Sequence, residues 1–549
     1  MGRVVQREAW DAIIIGGGHN GLTCSAYLAA AGLRVLVLEK NTTVGGAAAT
    51  EEFHPGFRNS VAAYTVSLLN PKVIRDLDLA AHGLKIIERP AANFWPVDER
   101  CGLLLPYGIK ARQRAIAEFS QRDAERLPAY EAALERAANV LRSLVLETPP
   151  DAGGGWREAL SAGRIARRML GLAREDQRVL LDLFTKSAAD FLGAWFESEI
   201  VKGAFAFDGI VGSYASPYTP GTAYVLLHHC FGEVNGKPGV WGHALGGMGA
   251  IADALRAATL QRGAVIRTEC EVAEVVIKAG RAAGVRLAGG EHIWAPVVAA
   301  NVGPKLLFGS LVPKGAIEPR VHARLAGVKT GSGTFRMNVA LSELPDFTCC
   351  PVKIAGAHHG SGIIIGPTLD YLDRAYTDAR TQGWSREPVV EMVIPSTLDD
   401  TLAPQGQHVA SLFVQHVAPH LPDGRSWDDA KDEVAEVVIA TVSRHAPNFR
   451  ASILGRQVTS PLDLERRYGM IDGDIFHGQL SLDQLFSARP VLGCAAYRMP
   501  LPGLYLCGAG SHPGGGVTGI PGHNAAREIL SDNRRSWRWR ALPRIVRPG

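Results

Sequence analysis

The feature that most constrains this chain is a strand–turn–helix–strand pattern between residues 11 and 39. The turn carries Gly16, Gly18 and Gly21 in the spacing GxGxxG, between an apolar run at 12–15 and an alanine-rich stretch at 22–31. Short apolar runs of this kind are typical of buried parallel strands. The glycines would permit a sharp turn, close approach of a pyrophosphate and tight helix packing. The pattern therefore predicts a βαβ unit that binds a dinucleotide.

An acidic residue, Glu39, ends the second strand and suits the ribose of such a dinucleotide. Its carboxylate can accept hydrogen bonds from both ribose hydroxyls, and it repels the 2′-phosphate of NADP. Free amides at the start of the following helix are placed to bind the pyrophosphate, and His19 and Asn20 lie in the turn just before it. We expect these two residues, Glu39 and the neighbouring Lys40 to contact the dinucleotide.

Two further glycine-rich segments favour FAD over NAD. Gly45 and Gly46, followed by Ala47, come shortly after the ribose-binding acid, where the isoalloxazine must pass close to the backbone. Near the other end of the chain, a strand at 504–507 leads into a glycine-rich loop and a helix from about Gly522. The backbone of such a loop can approach the ribityl chain and the flavin edge. The cofactor contacts expected in this loop are Gly508, Ala509, Gly516, Val517, Thr518 and Gly519.

A third segment predicts a β-meander. A helix expected at 250–260 is followed by strands at 272–277, 284–287 and 292–299, separated by tight turns. In folds with a two-dinucleotide architecture this meander belongs to the FAD domain, and a backbone group near Val272 would meet the adenine.

Composition excludes several classes of protein. The chain is 46% hydrophobic and 20% charged, which is typical of globular proteins. Its net charge is +4 and six arginines lie in the last sixteen residues, so the body carries no sign of nucleic-acid binding. Eight cysteines without a CxxC pair argue against a dithiol redox centre, a zinc ribbon or a secreted disulfide scaffold. No apolar run is long enough for a spanning helix, and the first ten residues do not resemble a targeting peptide.

Several motifs resemble one known group of flavoproteins. Residues 508–517 read GAGSHPGGGV, which is close to the C-terminal signature of the phytoene desaturase and carotenoid oxidoreductase branch of the FAD-dependent amine oxidase superfamily. Within that branch, GFRNS at 56–60, YTVSLL at 64–69 and GMIDGDIFHG at 469–478 resemble the subgroup named for a pyridine nucleotide-disulfide oxidoreductase domain.

This resemblance implies an α/β architecture with a discontinuous, glutathione-reductase-like (Rossmann-type) FAD domain. The remainder would form a mixed α+β substrate domain with a helical part and, at 306–490, a mixed sheet. The expected parts are the FAD domain at 1–75, 235–305 and 490–530, the substrate domain at 76–234 and 306–489 with helices at 111–230, and a basic tail at 531–549.

The resemblance also implies a non-covalent FAD, an apolar substrate and peripheral association with a membrane. One segment departs from the pattern of the desaturases, which often carry Asp and Gly after the GFR motif. Here residues 59–63 read NSVAA, which argues against a straightforward phytoene-type desaturation. No second GxGxxG unit is present for NAD(P)H, so oxygen or a quinone is the expected electron acceptor.

Catalytic residues are harder to predict. His228, His229 and His243 could perform acid–base chemistry near neutral pH, and Tyr64 could face the flavin. The alternative is that the histidines are hydrogen-bonded packing residues. Adjacent histidines without Asp or Glu at ligand spacing are weak evidence for a metal, so none is expected. Aromatic residues between 180 and 207 could line a substrate channel, although most are expected to be core.

The reaction expected from these features is hydride transfer from a C–H bond of a carotenoid-, polyprenoid- or lipid-like molecule to flavin N5. Three alternatives remain: ketolase-type oxygenation, double-bond isomerisation without net redox change, and a regulatory flavoprotein with little turnover. The expected location is the cytoplasm, with the tail sequence Trp537-Arg538-Trp539-Arg540 as a candidate contact with the inner face of a membrane. The oligomeric state is left open.

Overall fold

The computed structural model describes residues 10–151, 154–352 and 354–541, without the side chains of 157 and 535–541. The strands among these residues are, in chain order, β1 (Ala12–Ile15), β2 (Val35–Leu38), β3 (Thr50–His54), β4 (Phe57–Ser60), β5 (Ile86–Glu88), β6 (Ala91–Pro96), β7 (Gly102–Pro106), β8 (Glu233–Val234), β9 (Lys237–Pro238), β10 (Gly242–Ala244), β11 (Val265–Arg267), β12 (Val272–Lys278), β13 (Arg281–Leu287), β14 (His292–Trp294), β15 (Val297–Ala300), β16 (Phe335–Leu341), β17 (Gly362–Ile365), β18 (Trp384–Val393), β19 (His408–Val417), β20 (Ile453–Thr459) and β21 (Leu504–Leu506).

The α-helices of the same residues are α1 (His19–Ala30), α2 (Pro71–Asp76), α3 (Ile109–Ala117), α4 (Gln121–Val145), α5 (Trp156–Leu170), α6 (Arg174–Thr185), α7 (Ala188–Gly193), α8 (Glu199–Ala206), α9 (Thr222–His229), α10 (Gly249–Gln261), α11 (Pro304–Leu306), α12 (Pro319–Ala326), α13 (Leu369–Gln382), α14 (Trp427–His445), α15 (Phe449–Ser452), α16 (Pro461–Tyr468) and α17 (Ile520–Ala541). Short 3₁₀ or π turns lie at Gly46–Ala48, Phe207–Gly209, Leu307–Leu311, Pro395–Thr397, Ile471–Gly473, Leu482–Gln484 and Phe486–Ala488.

A five-stranded parallel sheet in the order β11-β2-β1-β15-β21 forms the first structural layer. Its central strand β1 is completely buried, with Ile14 opposite Val37 on one side and Ala299 on the other. Apolar side chains cover both faces of β1, as a parallel sheet requires. This arrangement confirms the Rossmann-type fold expected from the sequence.

Close backbone contacts hold the helices of this layer against each other. A Cβ atom at Gly522 in α17 would lie 2.1 Å from the carbonyl oxygen of Asn20 in α1, so no larger residue fits there. Both helices begin earlier than the sequence suggested: α1 at His19 rather than Leu22, and α17 at Ile520 rather than about Gly522. Helix α17 also continues to Ala541, across the expected boundary at 530.

The predicted β-meander is correct for its first two strands and wrong for its third. Strands β12, β13 and β14 form an antiparallel sheet. The apolar run at 292–299 breaks after Trp294, and its second half, β15, pairs with β1 in the parallel sheet. A run of alternating apolar residues cannot by itself show that a strand ends and the chain changes sheet.

A seven-stranded mixed sheet in the order β20-β16-β19-β18-β17-β6-β7 forms the second layer. Two of its strands, β6 and β7, lie at 91–106, outside the range of 306–490 expected for this sheet. Helices α3 to α9 pack with this sheet in one large apolar core. The aromatic residues of 184–207 belong to this core, where Tyr130 contacts Phe191, Phe196 and Phe205.

Candidate functional site

The turn between β1 and α1 has the backbone geometry that its glycines suggested. Gly16 has a φ of +94°, in the region that favours glycine. A Cβ at Gly21 would lie 2.2 Å from the carbonyl oxygen of Gly16, so a side chain there would open the turn. The first turn of α1 contains no acidic side chain. Its free amide groups therefore present a positive end to any anion.

Glu39 is buried directly beside this turn. One carboxylate oxygen accepts a hydrogen bond from the Gly17 amide at 2.8 Å, and the other accepts one from the Asn41 amide at 2.9 Å. Asn41 Nδ2 also donates to this second oxygen, at 3.0 Å. A carboxylate has about four acceptor positions, so the oxygen bonded to Gly17 retains capacity for one ribose hydroxyl. The Lys40 amine instead donates to the carbonyl of Arg466 at 3.0 Å.

The second glycine pair lies against the first turn. The Gly45 amide donates to the Gly17 carbonyl at 3.0 Å, and Gly45 forms a parallel bridge with Gly18. Gly45 has a φ of +124°, and a Cβ there would lie 3.1 Å from the side chain of Ala252 in α10.

A buried arginine, which was not predicted from the sequence, donates hydrogen bonds to the backbone of the C-terminal glycine-rich loop. The Arg489 guanidinium donates to the carbonyls of Ala509 at 2.8 Å, Ser511 at 3.3 Å and Phe476 at 2.8 Å. It also donates to three carbonyls between 478 and 484. No motif surrounds Arg489 in the sequence, because its partners are backbone atoms.

These segments meet at one cavity of about 550 Å³. The predicted site residues that line it are Gly16, Gly18, His19, Asn20, Glu39, Lys40, Gly46, Ala47, Tyr64, His229, Val272, Ala509, Gly516 and Val517. The predicted residues that lie behind its wall are Gly21, Gly45, His228, His243, Gly508, Thr518 and Gly519. Gly508 packs against Asn301, and the Thr518 carbonyl accepts from the Asn70 amide at 3.1 Å.

The two ends of the cavity differ in chemistry. The first, which we call the dinucleotide end, contains the glycine turns, Glu39 and Val272. The second, the apolar end, is lined by Tyr64, Val211, His229, Trp241, Phe413, Ile475 and Phe476.

Unpaired polar atoms along the wall fit a polar cofactor. Asn20 Oδ1, Tyr468 Oη and His477 Nδ1 belong to cavity residues, are buried, and have no hydrogen-bond partner in the protein. Such atoms cost free energy unless a ligand or water pairs with them. Burial lowers the pKa of both His19 and His477 to about 4, so each is neutral at pH 7.

Of the four candidate catalytic residues, two line the cavity and two do not. Tyr64 and His229 line the cavity, and His229 Nδ1 donates to the Val225 carbonyl at 2.9 Å. His228 lies within the core, where burial lowers its pKa to about 3.

His243 is paired with a residue away from the cavity. Its Nε2 lies 2.9 Å from Asp399 Oδ2, and the same carboxylate oxygen accepts from the Gly246 amide at 2.6 Å. Despite partial burial, these hydrogen bonds and two from Thr401 lower the pKa of Asp399 to about 2. The pair connects the β10–α10 turn to the segment that precedes β19, and it gives His243 a structural partner.

A buried polar cluster at the apolar end was also missed. Tyr64 Oη donates to Glu391 in β18, and the guanidinium of Arg336 in β16 lies 4.6 Å from the centre of the Tyr64 ring. Arg89 donates to Thr65 Oγ1 at 2.7 Å. These side chains come from distant parts of the sequence, and the strands that carry Arg336 and Glu391 have the apolar composition of ordinary buried strands.

The described residues hold no group of three or more His, Cys, Asp or Glu side chains placed to bind a metal ion. Among those same residues, no helix combines the length and the apolar character needed to cross a bilayer. The tail motif Trp537-Arg538-Trp539-Arg540 lies where side chains are outside the described part of the chain.

Comparison with known proteins supports the fold described above. Residues 14–78 match the NAD(P)-binding Rossmann-like domain family. The crystal structure of cyclohexylamine oxidase from Brevibacterium oxydans superposes with a TM-score of 0.58 at 15% identity, covering 96% of this chain and 100% of that one. A limonene dehydrogenase polypeptide of Castellaniella defragrans is 25% identical, over 95% of this chain and 94% of that protein.

A rat protein is more similar in sequence. Pyridine nucleotide-disulfide oxidoreductase domain-containing protein 2 of Rattus norvegicus is 40% identical to this chain over 547 residues, which cover 96% of this chain and 94% of the rat protein. Similarity at this level over nearly all of both chains confirms the resemblance drawn from the motifs. The chain belongs to the family of pyridine nucleotide-disulfide oxidoreductase domain-containing protein 2, and it is an oxidoreductase with the fold of the FAD-dependent amine oxidases.

Proposed function

We propose that this protein is an FAD-dependent oxidoreductase that removes hydrogen from C–H bonds of an apolar, polyprenoid- or lipid-like molecule. The observation that carries the proposal is the cavity in which a dinucleotide-binding turn opens onto an apolar wall. A redox cofactor and a hydrocarbon could meet there away from water.

In this proposal the dinucleotide end holds a non-covalent FAD. The N-terminus of α1 binds the pyrophosphate, Glu39 binds the ribose, and the backbone at Val272 meets the adenine. Gly516 and Val517 line the cavity, and their backbone would lie at the flavin edge. When bound, the flavin accepts a hydride, and oxygen or a quinone then reoxidises it.

Two observations favour a hydrocarbon over a disulfide as the substrate. All eight cysteines are free, and Cys270 is the one cysteine that lines the cavity among the described residues. Reduction of a disulfide by thiol exchange needs an attacking thiolate and a resolving partner. The similarity to the limonene dehydrogenase polypeptide also supports an apolar substrate.

An absorption spectrum of the purified protein tests the proposal. We expect the absorption bands of oxidised flavin. Acid precipitation of the protein should release the flavin into solution, because no covalent bond holds it. Under anaerobic conditions these bands should bleach with one class of polyenes, retinoids or unsaturated lipids. A protein without flavin bands after addition of FAD would overturn the cofactor assignment, and bands that no lipid bleaches would overturn the reaction.

We further propose that α5 rests on an anionic membrane surface and gives access to such substrates. Trp156, Leu160 and Leu170 on this helix are 58–76% exposed, and Arg164 and Arg167 lie beside them. A basic amphipathic helix with Trp and Leu on its apolar side is suited to the lipid headgroup region. Sedimentation with phosphatidylglycerol vesicles should carry the protein down, whereas phosphatidylcholine vesicles should not.

A double substitution, Leu160→Ser with Leu170→Ser, should abolish this sedimentation because the apolar side of α5 is removed. Leu482→Ser, at an exposed leucine outside α5, is the matched control and should leave it unchanged. Equal sedimentation of both variants would exclude α5 as the contact.

A further inference from the structure

A tyrosine and a glutamate are joined at the wall of the apolar end. Tyr64 lines the cavity and its hydroxyl donates to Oε2 of Glu391. Glu391 is 6% exposed and does not line the cavity. The carboxylate is therefore connected to the cavity through the Tyr64 hydroxyl.

Two arginines surround this pair without forming an ion pair with it. The Arg336 guanidinium lies over the Tyr64 ring at 4.6 Å and donates to Ser411 Oγ at 2.6 Å. Its Nε and Nη1 are buried without a partner. Arg89 donates to Thr65 Oγ1 at 2.7 Å. Neither arginine lies within 4 Å of the Glu391 oxygens as a salt bridge, so the carboxylate keeps acceptor capacity for a proton.

Burial raises the pKa of Glu391 above its usual range, and the charges of Arg89 and Arg336 and the Tyr64 hydrogen bond offset only part of this rise. Burial and the Glu391 charge raise the pKa of Asp208 to about 7, so Asp208 is partly protonated at neutral pH. A tyrosinate at Tyr64 would be strongly disfavoured, because burial and Glu391 raise the pKa of this hydroxyl well above 10.

These observations exclude Tyr64 alone as a base and point to the pair acting together. We propose that Tyr64 and Glu391 form a two-step proton acceptor for the dehydrogenation, in which Tyr64 Oη takes a proton from the substrate as its own proton passes to Glu391. The inference rests on the proposed function and specifies where the second hydrogen goes.

The step balances without a further reactant. One substrate C–H bond breaks with its electron pair leaving as hydride to the flavin. The neighbouring C–H bond then breaks, its proton goes to Tyr64 Oη, and its electron pair forms the new C=C bond. Loss of hydride makes the neighbouring C–H acidic, so a weak base is sufficient at this position. Tyr64 is the catalytic residue of the pair, and Glu391 acts through it.

Rapid-mixing measurements of flavin bleaching test the pair in the FAD-loaded protein. Tyr64→Phe and Glu391→Gln should each slow bleaching by about 10²–10⁴-fold, the usual contribution of a positioned base. In the wild type the rate should rise with pH to a plateau as Glu391 loses its proton, and Glu391→Gln should remove this dependence. Glu391→Asp, which keeps the carboxylate, should recover part of the rate.

A second readout does not depend on turnover. Infrared titration of the protein should show, besides the band of Asp208, a buried carboxyl band that is absent in Glu391→Gln, displaced in Tyr64→Phe and present in Asp208→Asn. The FAD dissociation constant should be unchanged in both variants. Matched controls are Glu387→Gln, an exposed glutamate on the same strand, and Tyr371→Phe, a buried tyrosine whose hydroxyl donates to the Pro388 carbonyl at 3.0 Å.

The outcomes separate the two proposals. Wild-type rates in Tyr64→Phe or Glu391→Gln, with the flavin still bleached by substrate, would overturn the proton acceptor and leave the proposed function standing. A carboxyl band unaffected by Tyr64→Phe would also overturn it. A wild-type flavin that no lipid bleaches would overturn the proposed function and this inference with it.

Discussion

The two ends of the cavity are built in opposite ways. At the dinucleotide end, backbone amides and glycines from 16–47 create the surface, and the buried carboxylate of Glu39 is held by the backbone. At the apolar end, side chains from widely separated segments create it, and Glu391 is held by Tyr64. Under the proposed function, the backbone-built end would bind the FAD, and the end built from side chains would bind the substrate.

The largest effect should come from closing the dinucleotide end. A side chain at position 21 would collide with the Gly16 carbonyl, so Gly21→Val should abolish flavin retention. The measurement is the ratio of flavin to protein absorbance after gel filtration, with the melting temperature recorded alongside. Gly163→Ala in α5, where a Cβ meets nothing within 4 Å, should retain flavin at the wild-type ratio. Full retention of flavin in Gly21→Val would contradict the conclusion that close backbone contacts form the dinucleotide end.

Removal of the arginine beneath the C-terminal loop should have the next largest effect. Arg489→Met leaves several buried carbonyls unpaired, and each costs roughly 1–3 kcal/mol. We expect the free energy of unfolding in urea to fall by at least about 3 kcal/mol. The control is Arg527→Met, since Arg527 also donates to a carbonyl, that of Leu146, but is exposed. Similar losses in both variants would show that burial of Arg489 is not the cause.

Glu39→Gln should weaken FAD binding without unfolding the protein. Hydrogen bonds to a charged group contribute about 1.5–3 kcal/mol, which corresponds to roughly a 10–100-fold increase in the dissociation constant. Flavin fluorescence titration measures this constant. Glu52→Gln, at an exposed glutamate of β3, is the control and should not change it. An unchanged constant in Glu39→Gln would remove the ribose contact from the proposal.

The smallest effect concerns the pH dependence of stability and Asp208, whose pKa is raised by burial and by the charge of Glu391. The raised pKa of Asp208, about 7, means that the folded protein keeps a proton that the unfolded chain releases near pH 4. The contribution of Asp208 to stability therefore falls as pH rises from about 4 to 7. The free energy of unfolding of Asp208→Asn minus that of the wild type should grow by about 1–4 kcal/mol over this range. A constant difference across the range would show that Asp208 titrates normally.

Much of the parallel sheet could be predicted because its signals are local. The apolar run of β1, the GxGxxG turn and Glu39 lie within 28 residues of each other, and their spacing reflects direct contacts along the chain. Errors appeared where the chain changes sheet without a break in hydrophobicity, as between β14 and β15. The aromatic residues of 184–207 show the same limit, since aromatic composition does not distinguish core from channel.

About half of the candidate site could be predicted from the sequence. His228 and His229 are adjacent and alike in sequence, yet one lies in the core and the other lines the cavity, since successive residues of a helix point in different directions. Arg489 and Glu391 carried no signal, because their partners lie on other elements.

The sequence by itself determined the dinucleotide end, because a tight turn, a helix start and an acidic strand end are made by neighbouring residues. The tertiary structure alone decided which side chains meet at the apolar end. Tyr64, Arg336 and Glu391 come together because β16 and β18 both pair with β19, and no spacing in the chain records that pairing. Contacts between sheet partners depend on register and on the packing of two layers, which become defined only when the whole chain folds.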